Sequence, residues 1–291
     1  MTSPQPDAAV IAAADLTEIS AAVAQTGGRL AARLGGACLV LHVVEALSGQ
    51  EDSGTLLPVL RRWVAQVRRE AREGLDRLLA VPSLAGYPVW GEVAEGKAAS
   101  KIVRAVRARG AKLVVVGGPP PDRLLGSTAD RVIRRSPVPV LVVRLPPPSG
   151  YRRLAVGIDF SEASGRALAT ALRLAEPGAR VTVCHVLDTL GLPASGEASA
   201  AAREREPRVR EWVRRWAPGA AGSADLAVRV EPGSPREALL AAARELSADL
   251  LAVGSRGLGP LRHFLMGSVA EASARRAPCD GLVAGPRTGP A

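Results

Sequence analysis

The stretch "AVGSRGLGPLRHFLMGSVAEASARR" (residues 252–276) runs from an apolar strand-like end, through glycines, into a helix-like segment. Upstream of it, "DLLAVG" is a near-continuous apolar run, as expected of a strand covered by helices on both faces. Glycines after such a strand let backbone amides approach an anion closely and reach positive φ. Gly267 and Ser268 open the next helix, where free N–H groups and the helix dipole favour phosphate. The Ser268 hydroxyl can cap that helix or reach a phosphate oxygen, and Arg256 can add a charge-assisted contact. A mobile strand-to-helix turn is the plain alternative. The loop is not a Walker motif, because no Gly-Lys-Ser/Thr follows the strand, and its spacing does not fit GxGxxG.

An earlier stretch, "VVGGPPPDRLLGSTADRVIRR" (115–135), reads as the same object shortened. The likeness extends along the chain. "VIAAADLTEIS" (10–20) aligns with "LAVGIDFSEAS" (154–164), placing Asp15 on Asp159, and "LVLHVVE" (39–45) aligns with "VTVCHVLD" (181–188), placing His42 on His185. "VAEGKAASKIVRAVRARGAKLVVVGG" (93–118) matches "VEPGSPREALLAAARELSADLLAVGS" (230–255), and "GSTADRVIRRSPVPVLVV" (126–143) matches "GSVAEASARRAPCDGLVA" (267–284). The matches are collinear, so the chain is a tandem duplication. "LPPPSG" (145–150) is a semi-rigid linker between domains 1–145 and 151–291.

Short apolar runs alternate with amphipathic segments in each half. In the second half, strands are expected near 153–158, 180–187, 225–231, 249–254 and 279–285, and helices near 162–175, 200–216, 234–246 and 267–276. This alternation predicts an α/β fold: two tandem doubly wound, Rossmann-like domains, each a five-stranded parallel sheet with helices on both faces. Ligands of such sheets sit outside the carboxyl ends of the strands, which selects the loops at Asp159, at Val186 to Asp188, and from Gly254 onward.

Composition bounds the function. The net charge of +10 raises nucleic-acid binding, but there are only three lysines and 3% aromatics. Single-strand binders interleave basic residues with stacking aromatics, so nucleic acid is not the expected partner. "RRWVAQVRREAREGLDRLL" (61–79) and "REREPRVREWVRRW" (203–216) mix glutamate with arginine at helical spacing, as solvated helices do. No apolar run reaches the ~20 residues of a membrane helix. "MTSPQPDAAVIAAADL" lacks the basic start of a signal peptide, which makes the cytoplasm the expected compartment. Cys38, Cys184 and Cys279 are far apart and read as small core residues, and three scattered histidines form no metal site. His42 and His185 are expected as buried, hydrogen-bonded imidazoles.

Gly-x2-Gly-x9-Gly-Ser after the fourth strand resembles the ATP-binding signature of the universal stress protein family. "VGSRGLG", "RRAPC", "GIDFSEAS" and "CHVLD" are similar to the same family, and the resemblance covers the chain as two family domains. It implies an adenine nucleotide alpha hydrolase-like fold, and ATP as ligand with or without Mg2+. It also implies a stress-response regulatory module with little or slow hydrolysis. Carried over by position, Asp159 contacts the adenosine part and Val186 pairs with the adenine edge. Gly254, Arg256, Gly257, Gly267 and Ser268 hold phosphate, while Val253 and Val269 wall the pocket. AMP or a cyclic nucleotide is an alternative, since Gly257 and Ser268 could hold one phosphate as well as three. A scaffold that binds protein partners without nucleotide is another. No convincing general base stands beside the cradle; Glu271 and Asp159 are the carboxylates near it in sequence.

The first half departs from this pattern. Its loop is four residues shorter, Pro119, Pro120 and Pro121 remove amide donors, and Asp122 brings a negative charge. The expectation is therefore one nucleotide site, in the C-terminal domain. Family dimers pair their fifth strands, so a tandem chain can pair "VPVLVVR" (138–144) with "CDGLVAG" (279–285) within itself, as a pseudo-dimer that could assemble further into a homodimer. Asp280 and Gly281 are poor strand residues, and a distorted pairing is expected there.

Overall fold

A computed structural model of the 291-residue chain describes residues 7–45, 58–119, 125–144, 149–188, 196–218, 224–255 and 266–285. It divides into two compact units. One comprises Met1–Gly117 with Gly126–Val138, the other Gly118–Leu125 with Pro139–Ala291.

The first unit contains β1 (Ala8–Ala13), α1 (Ser20–Arg33), β2 (Ala37–Val44), α2 (Pro58–Leu79), β3 (Val89–Glu95), α3 (Ala98–Ala108), β4 (Leu113–Gly117) and α4 (Ser127–Arg135). Its strands run in the order β3-β2-β1-β4, and the β3–β2, β2–β1 and β1–β4 ladders are all parallel. Val10, Ile11 and Ala12 at the centre are fully buried, as a strand sandwiched between helix layers requires.

The second unit begins with β5 (Val140–Val143), the last strand of the first repeat. It continues through β6 (Tyr151–Ile158), α5 (Glu162–Leu174), β7 (Ala175–Asp188), α6 (Gly196–Trp216), β8 (Ala224–Gly233), α7 (Pro235–Glu245), β9 (Leu250–Gly254), α8 (Ser268–Arg276) and β10 (Asp280–Ala284). The order is β5-β10-β9-β6-β7-β8. The five strands of the second repeat pair in parallel, and β5 joins β10 antiparallel. Helices α5 and α6 touch each other, as do α7 and α8, so the sheet lies between two helical layers.

Two features depart from the expected elements. β7 starts at Ala175, because Tyr151 pairs with Ala175 before the register shifts to Arg153 opposite Arg180. The expected distortion at Asp280 and Gly281 does not occur. Gly281, Leu282 and Val283 pair with Val142, Leu141 and Val140 without a shift. The reason is that the Asp280 carboxylate, which an isolated propensity penalises, is satisfied inside the unit. Oδ1 accepts from the Arg144 amide at 2.8 Å and Oδ2 from the Tyr151 hydroxyl at 2.7 Å.

The basic surface is laced with ion pairs. Arg134–Asp130, Arg210–Glu206 and Arg275–Glu271 are helical pairs four residues apart, and Arg210–Glu206 falls in the mixed charge run 203–216. Such pairs contribute ~0.5 kcal/mol each, so they shape the surface more than they hold the fold.

Candidate functional site

β6 ends at Ile158, and the chain turns sharply at Asp159-Phe160-Ser161. Phe160 lies at φ +63, a left-handed value costly for a side chain with a Cβ. Leu16, its counterpart in the first repeat, lies at φ +64. The turn is held by Asp159, whose Oδ1 accepts from the Ser161 amide at 3.0 Å and from the Ser161 hydroxyl at 2.5 Å. Ser161 in turn caps α5, accepting from the Ser164 amide at 3.1 Å. The cap of α5 is thus Ser161, and Asp159 orients it.

Across the sheet end, Ser255 closes the base of the glycine loop. Its amide donates to the Ala284 carbonyl at 2.7 Å, and its carbonyl accepts from the Gly267 amide at 2.9 Å. Arg256 and Gly257 lie outside the described residues, as do Arg262 and His263 in the same loop. Gly267 is the N-cap of α8, which has no side-chain cap; Ser268 is the first helical residue. This corrects the reading of Ser268 as a capping residue. The first backbone bond of the helix is Glu271 to Gly267, so the amides of Ser268, Val269 and Ala270 precede the helical ladder.

Gly254 has a different reason to be glycine from the one expected. Its φ is not positive; instead, a Cβ there would sit 2.8 Å from the Ser164 amide nitrogen and 3.0 Å from the Ala163 carbonyl carbon. The end of β9 runs so close to the first turn of α5 that no side chain fits.

These elements enclose a cavity of about 190 Å³. Asp159, Val186, Val253, Gly254, Gly267, Ser268 and Val269 all line it, so every expected site residue within the described residues meets there. Ser164, Cys184, Pro235, Leu239 and Ala270 line it too and were not singled out from sequence. Ser164 had a signal, since Ser161-x-x-Ser164 is a helix-start pattern. Leu239 is one of several apolar α7 residues, and periodicity alone does not show which of them reaches the cavity.

His185 lies beside this wall. It is 8% exposed, and its Nδ1 donates to the Ile158 carbonyl at 2.9 Å, which leaves Nε2 as the acceptor in the neutral ring. Phe160 stacks tilted on it with ring centroids 4.6 Å apart, Trp212 meets Phe160 edge-on, and the Arg208 guanidinium lies 5.0 Å from the Phe160 centroid. Burial lowers the His185 pKa below its ordinary value, against the hydrogen bond that the ring donates to the Ile158 carbonyl. His42 is half-buried, with the same bond to the Ala14 carbonyl at 2.9 Å. Burial pushes the thiols of Cys38, Cys184 and Cys279 up to about 12, which removes their nucleophilic form at neutral pH.

The first unit has a cavity of about 430 Å³ at the corresponding place, lined by Asp15, His42, Glu45, Gly117, Gly126 and Ser127 among others. Asp15 Oδ1 accepts from the Thr17 amide, the Thr17 hydroxyl and the Ser20 hydroxyl at 3.0, 2.6 and 3.0 Å. Burial pushes its pKa up, but these three bonds together outweigh it and hold the carboxyl below the ordinary value. Glu45 fills the N-terminus of α3, accepting from the Ala98 amide at 2.7 Å. Gly126 caps α4 without a side-chain bond, just as Gly267 caps α8. Of the proline segment, Pro120, Pro121 and Asp122 lie outside the described residues; the Pro119 carbonyl accepts from Arg144 Nη1 at 2.5 Å.

The model of the universal stress protein family matches residues 9–144 and again 150–285. The chain belongs to the universal stress protein family. A universal stress protein sequence from Staphylococcus aureus (strain USA300) is 30% identical over 138 residues, which is 46% of this chain and 83% of its own length. A universal stress protein structure from Archaeoglobus fulgidus DSM 4304 shares the fold over 96% of this chain and 98% of its own, with a TM-score of 0.69 and 24% identity. A universal stress protein in complex with cAMP is 30% identical and covers 46% of this chain and 97% of its own, with a TM-score of 0.36. This universal stress protein therefore carries two copies of the family domain.

Among the described residues of this universal stress protein, no three metal-ligating side chains gather, and no helix is long and apolar enough to cross a membrane.

Proposed function

We propose that the protein binds ATP or a related adenine nucleotide in the cavity of the second unit and acts as a regulatory binding module. The observation that supports this most is the uncapped start of α8 opening on that cavity, with the Asp159 carboxylate and Val186 in the same lining. Amides at a helix start favour phosphate. A carboxylate that accepts at Oδ1 from Ser161 keeps further lone pairs for ribose hydroxyls or an adenine amino group. Gly257 and Arg256 complete the cradle in this reading, and any Mg2+ arrives with the phosphates.

In this reading turnover is slow: the Glu271 carboxylate is paired with Arg275 at 3.2 Å, and Asp159 serves the nucleoside rather than a water. Calorimetry with ATP, AMP and cAMP on the wild type and Gly257→Asp tests the reading. Heat from the wild type that is lost in the variant is expected; no heat from either removes the proposal. Mass spectrometry of the natively purified protein adds a second check, because a retained adenine nucleotide excludes a nucleotide-free scaffold.

The larger cavity of the first unit favours a second reading, a ligand without a phosphate chain. Asp15 and Glu45 line it, and among the described residues no lysine or arginine does, which suits a neutral or cationic molecule better than a triphosphate. Adenosine heat that survives Gly257→Asp but not Asp15→Asn would assign a ligand to it.

A further inference from the structure

β5 and β10 are equivalent strands of the two repeats, and their pairing has its own internal symmetry. Leu141 and Leu282 occupy the same place in the aligned repeats, and they sit directly opposite each other. A strand pair centred on equivalent residues could form equally well between two copies of β5 or two copies of β10, as far as backbone geometry is concerned. The side chains break that equivalence.

Arg144, at the end of β5, is 5% exposed, and Asp280, at the start of β10, is 2% exposed. The Arg144 amide donates to Asp280 Oδ1 at 2.8 Å. Its guanidinium donates to three carbonyls: Cys279 at 3.1 Å, Pro119 at 2.5 Å and Ala274 at 2.7 Å. Fully buried Tyr151 donates its hydroxyl to Asp280 Oδ2 at 2.7 Å. The buried cation and the buried anion thus lie on opposite strands at one end of the ladder; neither strand has a charged residue of its own at the other end, where the Arg166 guanidinium of α5 donates to the Gly285 carbonyl at 2.7 Å. In the aligned repeats, Asp280 falls on Pro139 and Arg144 falls on Gly285.

We infer that Arg144 and Asp280, with Tyr151, are a recognition device that makes β5 pair with β10 and refuse a second copy of itself. In a β10–β10 pair between two chains, Gly285 would stand where Arg144 stands, and two carboxylates would be buried without their cation. In a β5–β5 pair, Pro139 would stand where Asp280 stands, and two guanidinium groups would be buried without their anion. An uncompensated buried charge is strongly unfavourable, whereas the mixed pair leaves none. The device also explains why aspartate, a residue poor in strands, is tolerated in a buried strand. Repulsive choice against a near-identical competitor is what specificity requires when the attractive backbone ladder is shared.

The test is refolding of the full chain from denaturant over a range of protein concentrations, with mass read by light scattering and secondary structure by circular dichroism. The wild type is expected to return at one mass throughout. The neutral pair Arg144→Met with Asp280→Leu lifts the discrimination. Gly285→Arg supplies β10 with its own cation and makes it self-complementary. Each is expected to raise the associated fraction by about tenfold at the highest concentration, modest because the tethered strand competes at high effective concentration. A double-mutant cycle read by urea midpoint should show each single change costing more than the pair together. The inference is overturned if both variants refold at the wild-type mass at every concentration, or if the single losses simply add. Should the neutral pair fail to refold, the Gly285→Arg result decides alone.

Discussion

The closing ends of the two glycine segments, Gly117-Gly118 and Gly254-Ser255, started from the same sequence logic and now differ in what surrounds them. In both repeats the residue after the fourth strand donates its amide to the fifth-strand carbonyl: Gly118 to Val143 at 2.8 Å, and Ser255 to Ala284 at 2.7 Å. Both lead to a helix capped by a glycine without side-chain help. Beyond that they diverge. Ser255 turns back to hold Gly267, while the Pro119 carbonyl is bound by Arg144. Both segments border a cavity, and the first also carries a strut in a buried polar network. Duplication kept the scaffold twice, while the segments that follow the two fourth strands are held by different partners.

Substitution at the paired glycines should separate the two most strongly. A Cβ on Gly254 meets the backbone of α5, which cannot yield, whereas a Cβ on Gly117 meets the Ile19 side chain at 2.8 Å, which can turn aside. Gly254→Ala is expected to destabilise by about 1–3 kcal/mol, and Gly117→Ala by less than about 1 kcal/mol. Urea unfolding monitored by circular dichroism reads both; equal losses would mean that the close approach at α5 relaxes freely.

Next in size is the introduction of a negative charge at the helix starts. Ser268→Glu places an anion at the first turn of α8, where it suits the helix dipole but opposes a phosphate. ATP affinity should fall by about tenfold or more, close to 1.4 kcal/mol, while Ser127→Glu on α4 leaves it unchanged. An equal loss in both variants, measured by calorimetry, would place nucleotide in both units.

The paired aspartates give a smaller contrast. Asp159→Asn should weaken nucleotide binding by about tenfold, the scale of one hydrogen bond to a charged acceptor. Asp15→Asn should leave ATP affinity alone and instead flatten the acid side of the stability curve. Because the Asp15 carboxyl is held below its ordinary value, its contribution is present above roughly pH 4 and lost as acid protonates it in the folded state. Asp15 keeps much of its surface in solvent, so that loss is small.

The smallest effect expected is on His185. Burial lowers its pKa, so the unfolded chain takes up a proton near pH 6.5 while the folded ring resists. Stability is therefore intact above that value and declines as pH falls below it. Urea midpoints between pH 5 and 8 should show the decline in the wild type and lose part of it in His185→Gln. A parallel pair of curves would show that the ring is not the titrating group.

The fold was legible because strand and helix periods alternate cleanly and because the repeats corroborate each other; two weak patterns in register are stronger than either alone. The described part of the candidate site was legible for the same reason, since Asp159, Val186 and Gly254 lie at strand ends and Ser268 at the start of the next helix, where a doubly wound sheet gathers its ligand contacts. What escaped was set by contacts distant in sequence. Nothing near Asp280 reveals that Arg144 and Tyr151 will satisfy it, so strand propensity read locally suggested a distortion. Gly254 looked like a ligand glycine because its packing partner, the start of α5, lies some ninety residues upstream. Leu239 and Cys184 reach the cavity from segments that carry ordinary core patterns.

The antiparallel seam of β5 and β10 also orders events in time. During synthesis β5 leaves the ribosome long before β10 exists, and at ~5–20 residues per second the interval is on the order of 10 s. Through that interval an apolar strand ending in an arginine waits without its aspartate. A nascent chain halted before Asp280 would present that strand to chaperones and to its neighbours on the same message.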